Sequence, residues 1–169
     1  LTVSDGTTTD EQSFTITVVN VNDAPIFTST AITAAIEDIT YSYTVTASDE
    51  EGNTLTYAAP TLPSWLTFDG TATISGTPLN EHVGSHPIVL SVGDGTVIVN
   101  QSFIIVVENA NDAPVFTSTQ TTEAVENIAY SYTATASDID VGDVLTFAAP
   151  ILPSWLAFDG TATISGTPM

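Results

Sequence analysis

The stretch LPSWLTFDGTATISGTP at residues 62–78 returns, with one substitution, as LPSWLAFDGTATISGTP at residues 152–168. The repetition extends outwards over most of the chain. Two ungapped alignments describe it: residues 1–49 on 90–138, identical at 31 of 49 positions, and residues 54–79 on 144–169, identical at 21 of 26. Self-similarity at a fixed period of this length is typical of tandem arrays of one structural unit.

Each repeat is filled with short strand patterns. Residues 41–47 (YSYTVTA) alternate apolar and small polar side chains, and residues 88–92 and 103–107 alternate in the same way. This period of two indicates half-buried strands, and Asp-Gly pairs such as Asp69-Gly70 and Asp94-Gly95 indicate turns between them. No segment has helical periodicity. About seven short strands per repeat predict an all-β chain of antiparallel β-sandwiches of about 90 residues, joined end to end.

The repeats are out of phase with the ends of the chain. Leu1 aligns with Leu90, and Met169 aligns with Leu79. We therefore expect residues 1–23 to hold the C-terminal strands of a preceding repeat with its linker, 24–113 a complete sandwich, and 114–169 the N-terminal part of the next.

Two explanations of this phase stay open. The chain is a window of a longer secreted array, or the N-terminal strands of one copy complete the open C-terminal half of another, since open sheet edges invite such head-to-tail strand exchange.

Composition excludes several functional classes. The chain has no Lys, Arg or Cys but 20 Asp and Glu, for a formal net charge of −20, while 43% of its residues are hydrophobic. Such an apolar content is too high for a disordered acidic tail. The lack of basic side chains argues against nucleic acid as a partner and disfavours docking on anionic lipid. Apolar runs of only strand length exclude a membrane-spanning helix, and the absence of Cys excludes disulfides. A bound cation is the remaining means of cross-linking the fold.

Three motifs together resemble a known family. NDAPIF at residues 22–27 and NDAPVF at 111–116 resemble the interdomain linker of cadherin-like repeats, and ASDIDVGDVLTF at 136–147 resembles their Asp-x-Asp loop. The repeated stretch at 62–78 is similar to the hallmark of dystroglycan-type cadherin-like domains and of immunoglobulin-like repeats in bacterial surface adhesins. The resemblance implies Ig-like sandwiches arranged end to end, with Ca²⁺ between successive domains, in proteins of the cell surface.

The same resemblance implies the calcium ligands at two junctions. At the second junction they are Glu37, Asp69, Asn111, Asp112, Asp138 and Asp140, with Glu108, Asn109 and Asp143 as extra candidates. At the first junction they are Asn22, Asp23, Asp49, Glu51 and Asp94, and Glu126 and Asp159 belong to a junction beyond residue 169. These are oxygen donors, as Ca²⁺ requires. The alternative is ordinary turn chemistry, because tight turns use Asp, Asn and Gly.

The match to the family pattern is incomplete. The linker has Ala24 and Ala113 where cadherins carry asparagine, and Glu51 stands in place of the second Asp of the loop. Fewer ligands imply fewer or weaker ions at each junction.

Other candidate sites are weak. His82 and His86 are spaced like zinc ligands but lie in a predicted loop or strand start, which favours loop histidines. Trp65 and Trp155 could stack on a sugar or plug the core behind the Pro-Ser corner, and the second interpretation is favoured. No nucleophile, base or phosphate-binding pattern is present, so we expect no enzyme.

The sequence favours a structural stalk or filament segment of an extracellular bacterial surface protein, stiffened by Ca²⁺ at its interdomain junctions. Its partners would be neighbouring repeats of the same protein. Two alternatives remain, a glycan- or cell-binding adhesion module and accessory repeats of a large secreted hydrolase.

Overall fold

The computed structural model describes all 169 residues, as sixteen strands and one 3-10 turn at Asn80–His82. The strands are β1 (Thr2–Ser4), β2 (Thr9–Glu11), β3 (Ile26–Phe27), β4 (Ala34–Ile36), β5 (Tyr41–Thr44), β6 (Ala47–Ser48), β7 (Thr56–Thr61), β8 (Thr67–Phe68), β9 (Thr73–Gly76), β10 (Gly84–Gly93), β11 (Ile98–Glu108), β12 (Val115–Phe116), β13 (Tyr130–Thr133), β14 (Ala136–Ser137), β15 (Leu156–Phe158) and β16 (Thr163–Gly166). The expected all-β class is confirmed.

Strands β3 to β11 form a two-layer sandwich, the central repeat. One layer is a four-stranded sheet in the order β4-β11-β10-β7, and the other contains the sheet β5-β9-β8 and the pair β3-β6. All of these pairs are antiparallel except β4 with β11, which run parallel through Val107↔Ala35. The long hairpin β10-β11 therefore supplies most of one layer.

The predicted alternation places one face of each strand in the core. Ile74 from one layer packs with Ile88, Leu90 and Ile105 from the other, all of them fully buried. Tyr43 links the layers through its hydroxyl, which donates to Oε1 of Gln101 at 3.0 Å. Burial of these side chains is the main source of the free energy of folding.

The repeated PSWL corner has a specific packing requirement. Trp65 is buried and meets the ring of Tyr41 edge to face, with centroids 5.8 Å apart. The main chain of Gly76 on β9 passes so close that a Cβ at this position would overlap the carbonyl oxygen of Trp65. Gly166 lies in the same way against Trp155. The sequence separation between Trp65 and Gly76 is the same as that between Trp155 and Gly166, and the packing of this corner explains why.

Residues 115–169 reproduce one layer of the central repeat. The pair β12-β14 and the sheet β13-β16-β15 match β3-β6 and β5-β9-β8, including the register Tyr130↔Gly166 that repeats Tyr41↔Gly76. No opposing sheet is present in the chain, and β7 has no counterpart strand because its partner β10 has none. This half-repeat therefore leaves Tyr130 and Tyr132 only half-buried.

The N-terminal segment forms less strand than its sequence predicts. The sequence predicts two strands like β10 and β11, but the structure has only the short hairpin β1-β2 and no strand in residues 12–25. Phe14, Ile16 and Val18 are 61%, 76% and 89% exposed. The physical reason is the lack of neighbours, since an isolated two-stranded hairpin is marginally stable at best.

Candidate metal centre

The linker between the central repeat and the half-repeat is held by one carboxylate. Asp140 accepts a hydrogen bond at Oδ2 from the main-chain N–H of Asp112, over 2.7 Å. Its Oδ1 accepts from Nδ2 of Asn80 at 3.1 Å. Asp140 is only 6% exposed. It therefore joins three segments: the last residues before β10, the linker, and the loop after β14.

The first acidic cluster lies beside this contact. Carboxylate oxygens of Glu37, Asp38 and Asp112 lie within 4.8 Å of one another. Glu37 is 1% exposed, and its Oε2 accepts the main-chain N–H of Ala110 at 3.3 Å. Its own N–H donates to the carbonyl of Glu108 at 2.9 Å, where β4 runs beside the end of β11. The strand pairing thus fixes Glu37 at the linker.

The second acidic cluster belongs to the loop after β14. One oxygen from each of Asp138, Asp140 and Asp143 lies within 4.8 Å of the others. Oδ1 of Asp138 accepts the N–H of Asp140 at 3.0 Å, which curls the loop around the cluster. Because Asp140 also binds the linker, the two clusters are neighbours.

The charge balance at this junction is unusual. Two carboxylates are buried, and the chain has no Lys or Arg to pair with them. A buried charge is costly in free energy unless it is paired with a counter-charge or coordinates a metal. A cleft of about 700 Å³ reaches the site and is lined by Glu37, Asp38, Asn80, Asp112 and Asp138, among others. Its donors are carboxylate and amide oxygens, the set that Ca²⁺ prefers.

The first junction repeats part of this geometry, although its carboxylates form no cluster of three like those at the second junction. The N–H of Asp23 donates to Oε2 of Glu51 at 3.3 Å, in the place of the Asp112–Asp140 contact. Asp49 accepts the N–H of Asn53 at Oδ1, while its Oδ2 is buried with no hydrogen-bond partner. Asn22 donates to Oδ2 of Asp94 at 2.9 Å. All five predicted residues therefore lie at this junction, and the unpartnered oxygen of Asp49 fits a bound cation.

A model of the family described as Putative Ig domain matches residues 24–108 and 113–169. The chain belongs to this family. The two matched segments meet at the linker that carries the acidic clusters, so this junction lies between two Ig domains.

The chain is similar to several solved structures. The chain is 22% identical to human protocadherin-24 EC1-2, with a TM-score of 0.57 over 86% of this chain and 80% of that chain. It is 28% identical to an endo-fucoidan hydrolase of glycoside hydrolase family 107, with a TM-score of 0.45 over 90% of this chain and 25% of that chain. The SrpA adhesin from Streptococcus sanguinis is 12% identical, with a TM-score of 0.46 over 65% of this chain and 72% of that chain.

The chain thus spans only a quarter of the length of the hydrolase. No protein with a curated description matches this sequence. The resemblance to Ig-like repeats is confirmed by the family match, and the protocadherin structure shares the fold of the chain.

The structure does not bring Asp69 into either cluster. The Asp69 carboxylate accepts the N–H groups of Thr71, Ala72 and Thr73 and the Thr71 hydroxyl, at 2.7 to 3.1 Å. These bonds, the one from the Thr71 main chain first, hold the Asp69 pKa well below its usual range. Asp159 repeats the arrangement in the second Ig domain, where the main-chain N–H of Thr161 contributes most to lowering its pKa to about 2. Both carboxylates are occupied by their own turns.

Other predicted ligands lie at the edge of the clusters. Asn111 donates its amide to the carbonyl of Asp112 at 2.6 Å, and the side chain of Glu108 is exposed. Asp94 faces the first junction, but the Asn22 amide and then the Val97 N–H bind its carboxylate and lower its pKa. These residues shape the junctions without completing a three-oxygen cluster.

Two residues of the site were missed from the sequence. Asp38 adopts a left-handed backbone, φ 58°, and its equivalent Asn127 does the same at φ 60°. Asp and Asn tolerate this region best among residues with a side chain. The presence of Asp and Asn at equivalent positions of the two repeats was therefore the available sequence signal for this backbone conformation. Asn80 lies in the 3-10 turn at the start of residues 80–89, which have no counterpart elsewhere in the chain and gave no repeat signal.

The histidines and tryptophans contact one another. His86 Nε2 lies 2.6 Å from the carbonyl oxygen of His82, and Nδ1 of His82 accepts the N–H of Leu79 at 3.0 Å. Both rings pack beside Trp65, which is 7% exposed. His82 lies in the 3-10 turn and His86 at the start of β10, and these contacts favour structural histidines and a core role for Trp65. The structure also has no helix of sufficient length and apolarity to cross a membrane.

Proposed function

We propose that this chain is a spacer segment of an extracellular surface protein, in which Ca²⁺ bound between successive Ig domains converts a flexible linker into a stiff joint. The division into residues 1–23, 24–113 and 114–169 is part of this proposal. In this function the repeats act as spacers that set the length of the protein, and their partners are the neighbouring repeats.

The observation that carries the proposal is the burial of Glu37 and Asp140 at one linker in a chain without Lys or Arg. Carboxylates gathered in a poorly hydrated site repel one another unless a cation or a proton intervenes. Hydrogen bonds from Asn80 and from main-chain N–H groups offset part of this cost, but none of these donors is charged.

The residues suited to hold the ion come from both sides of the joint. Glu37 and Asp38 belong to the central repeat, Asp112 to the linker, and Asp138, Asp140 and Asp143 to the following domain. Bound Ca²⁺ would supply the positive charge that the chain lacks. Contacts between domains of one chain are otherwise small and mobile, so a shared ion at this place restricts bending and rotation of the linker.

Calcium would also stabilise the folded repeats. A ligand that binds only the folded state at 100 times its Kd adds about 2.7 kcal/mol per site. At the first junction the longer side chain of Glu51 makes the linker contact at 3.3 Å, against 2.7 Å for Asp140. We expect the weaker calcium affinity there.

The test is small-angle scattering and thermal melting of the 169-residue chain, in calcium and in EGTA. We expect calcium to give a longer, stiffer particle and a higher Tm. The double variant Asp112→Asn with Asp138→Asn should lose both effects while the central repeat still melts cooperatively. Its charge-matched control is Asp10→Asn with Glu11→Gln, on the exposed strand β2. A wild-type chain that responds identically in calcium and EGTA would refute the proposal.

No specific observation favours the alternative of a glycan-binding module. Trp65, the side chain best suited to stack on a sugar, is packed against Tyr41, His82 and His86 in the core. Carbohydrate recognition would need an exposed aromatic surface, and this corner does not supply one.

A further inference from the structure

Tension along the chain enters the central repeat at its two opposite ends. In the first linker, Asn22 contacts Asp94, which lies at the turn before β11. At the other end, β11 stops at Glu108, where the second linker begins. A pull on the two linkers therefore draws the last strand, β11, forwards along its own axis and draws the first strands of the repeat backwards.

The first strand of the repeat offers little resistance to such a pull. β3 is held to β6 over only two residue pairs. Once β3 is released, the load passes to β4, which is the next strand in the chain. The resistance of β4 therefore decides whether the central repeat survives the pull.

The pair β4-β11 meets this load in shear. The two strands run parallel over three residue pairs, centred on Val107↔Ala35. Main-chain hydrogen bonds between parallel strands are evenly spaced along the pair, so sliding one strand along the other loads all of these bonds together. A pull that opens the pair from one end breaks the same bonds one after another. Sliding thus needs the larger force.

The strand β11 cannot slide alone. Its other edge pairs with β10 over ten residue pairs, whereas β4 has no second neighbour in the sheet. The middle residue of β4, Ala35, is buried in the core. The separation of β4 from β11 is therefore the step that limits unfolding under tension.

Hydrogen bonds extend the pair beyond the strands at both ends. Before β4 begins, the N–H of Val106 donates to the carbonyl of Thr33 at 2.9 Å. After β4 ends, the N–H of Glu37 donates to the carbonyl of Glu108 at 2.9 Å, and the Glu37 carboxylate accepts the N–H of Ala110 at 3.3 Å. Glu37 is buried, so water does not compete for this bond. Its side chain thus closes the end of the pair that faces the second linker.

We propose that the β4-β11 pair, closed by Glu37, is a mechanical clamp that bears tension along the chain and sets the force at which the central repeat unfolds. Bearing load is a further function of the repeat, distinct from the stiffening of its linkers. Its use in the assembled protein rests on the proposed spacer function, but the clamp itself requires no calcium. Its resistance depends on the direction of the pull.

The absence of cysteine allows two introduced thiols to define that direction. Thr30→Cys with Asn109→Cys places the attachment points at opposite ends of the clamp, so that the pull shears it. Ile39→Cys with Asn109→Cys places both points at the end near the second linker, so that the pull peels the strands apart. All three residues are exposed. Single-molecule force spectroscopy of the two 169-residue variants in EGTA compares the directions within one fold.

We expect a severalfold higher unfolding force in the shearing direction than in the peeling direction. With the shearing attachment, Glu37→Ala should shorten the lifetime at constant force by about tenfold or more, because it removes a hydrogen bond to a charged group. Glu37→Gln keeps an acceptor oxygen, so it should retain most of the lifetime measured with Glu37 in place.

Equal forces in the two directions would overturn the proposal. So would an unchanged lifetime in Glu37→Ala, or a Glu37→Gln lifetime as short as that of Glu37→Ala. A chain that shows the directional difference in EGTA, yet gives identical scattering in calcium and in EGTA, would support the clamp and refute the calcium joint.

Discussion

The main-chain N–H of Asp112 donates to the carboxylate of Asp140 over 2.7 Å, and Asp140 is at the same time bound by the amide of Asn80. One buried carboxylate thus ties the linker to the domains on both sides. At the first junction the N–H of Asp23 donates instead to the carboxylate of Glu51, over 3.3 Å. The acidic loop therefore organises the linker through hydrogen bonds, besides offering oxygens to a cation.

These two roles of Asp140 can be separated by substitution. Asp140→Asn keeps a hydrogen-bond acceptor but loses the charge, so we expect weaker calcium binding with a linker that remains ordered in EGTA. Asp140→Ala removes the acceptor too, and loss of a charge-assisted hydrogen bond costs about 1.5–3 kcal/mol. Calcium titration calorimetry measures the first effect, and hydrogen exchange of the Asp112 amide measures the second. Equal exchange rates in the two variants would contradict this division of roles.

Gly76 should tolerate no side chain. A Cβ at this position overlaps the carbonyl oxygen of Trp65, which is main chain and cannot rotate away. We expect Gly76→Ala to destabilise the central repeat by about 1–3 kcal/mol, the usual cost of overpacking. Differential scanning calorimetry checks it. Gly166→Ala is the matched control, because it creates the same overlap in the half-repeat and should leave the main transition nearly unchanged.

The sequence predicted the fold well because the same pattern of alternating residues occurs in both repeats. Alternating residues on β5, β10 and β11 determine which face is buried, and this pattern depends only on local periodicity. Strand length at the two ends was harder to predict. Phe14 and Ile16 have the sequence of a core strand, yet they form none here, because a strand exists only with a neighbour to pair with.

The candidate site was predicted in part for a similar reason. Linker and loop residues such as Asp112 and Asp138 stand in motifs and were found. Asp69 also stands in a motif, but sequence does not reveal that its carboxylate turns back onto three N–H groups of its own turn. Asn80 reaches Asp140 across sixty residues. A contact between segments so distant in sequence leaves no local pattern.

The Asp carboxylates that accept hydrogen bonds within their own turns allow a prediction of how the free energy of unfolding depends on pH. The folded-state pKa of Asp69 lies below the ordinary value of 3.8, so the stability it contributes is present above pH 3.8 and is lost as pH falls through the lowered pKa. Asp69→Asn keeps the acceptor oxygen without this titration. We expect the variant to be less stable than wild type near neutral pH, and its stability to fall less steeply below pH 3.8.

Urea unfolding of the central repeat at several pH values measures this dependence. The exposed carboxylate of Glu50 makes no hydrogen bond to the protein, so Glu50→Gln serves as the control and should follow the wild-type curve. Parallel acid profiles for wild type and Asp69→Asn would show that the turn is not the source of the acid sensitivity.

The hydroxyl of Tyr43 should contribute more to stability than that of Tyr132. Tyr43 is buried, and its hydroxyl is hydrogen-bonded to Ser29 at 2.8 Å and to Gln101 at 3.0 Å. Tyr43→Phe leaves Oε1 of the half-buried Gln101 without this partner, which costs up to about 1–3 kcal/mol. Tyr132 has only Ser118 as partner and is partly exposed, so Tyr132→Phe should change stability by much less. Chemical unfolding followed by tryptophan fluorescence compares the two, and equal losses would mean that the bridge to Gln101 adds nothing between the layers.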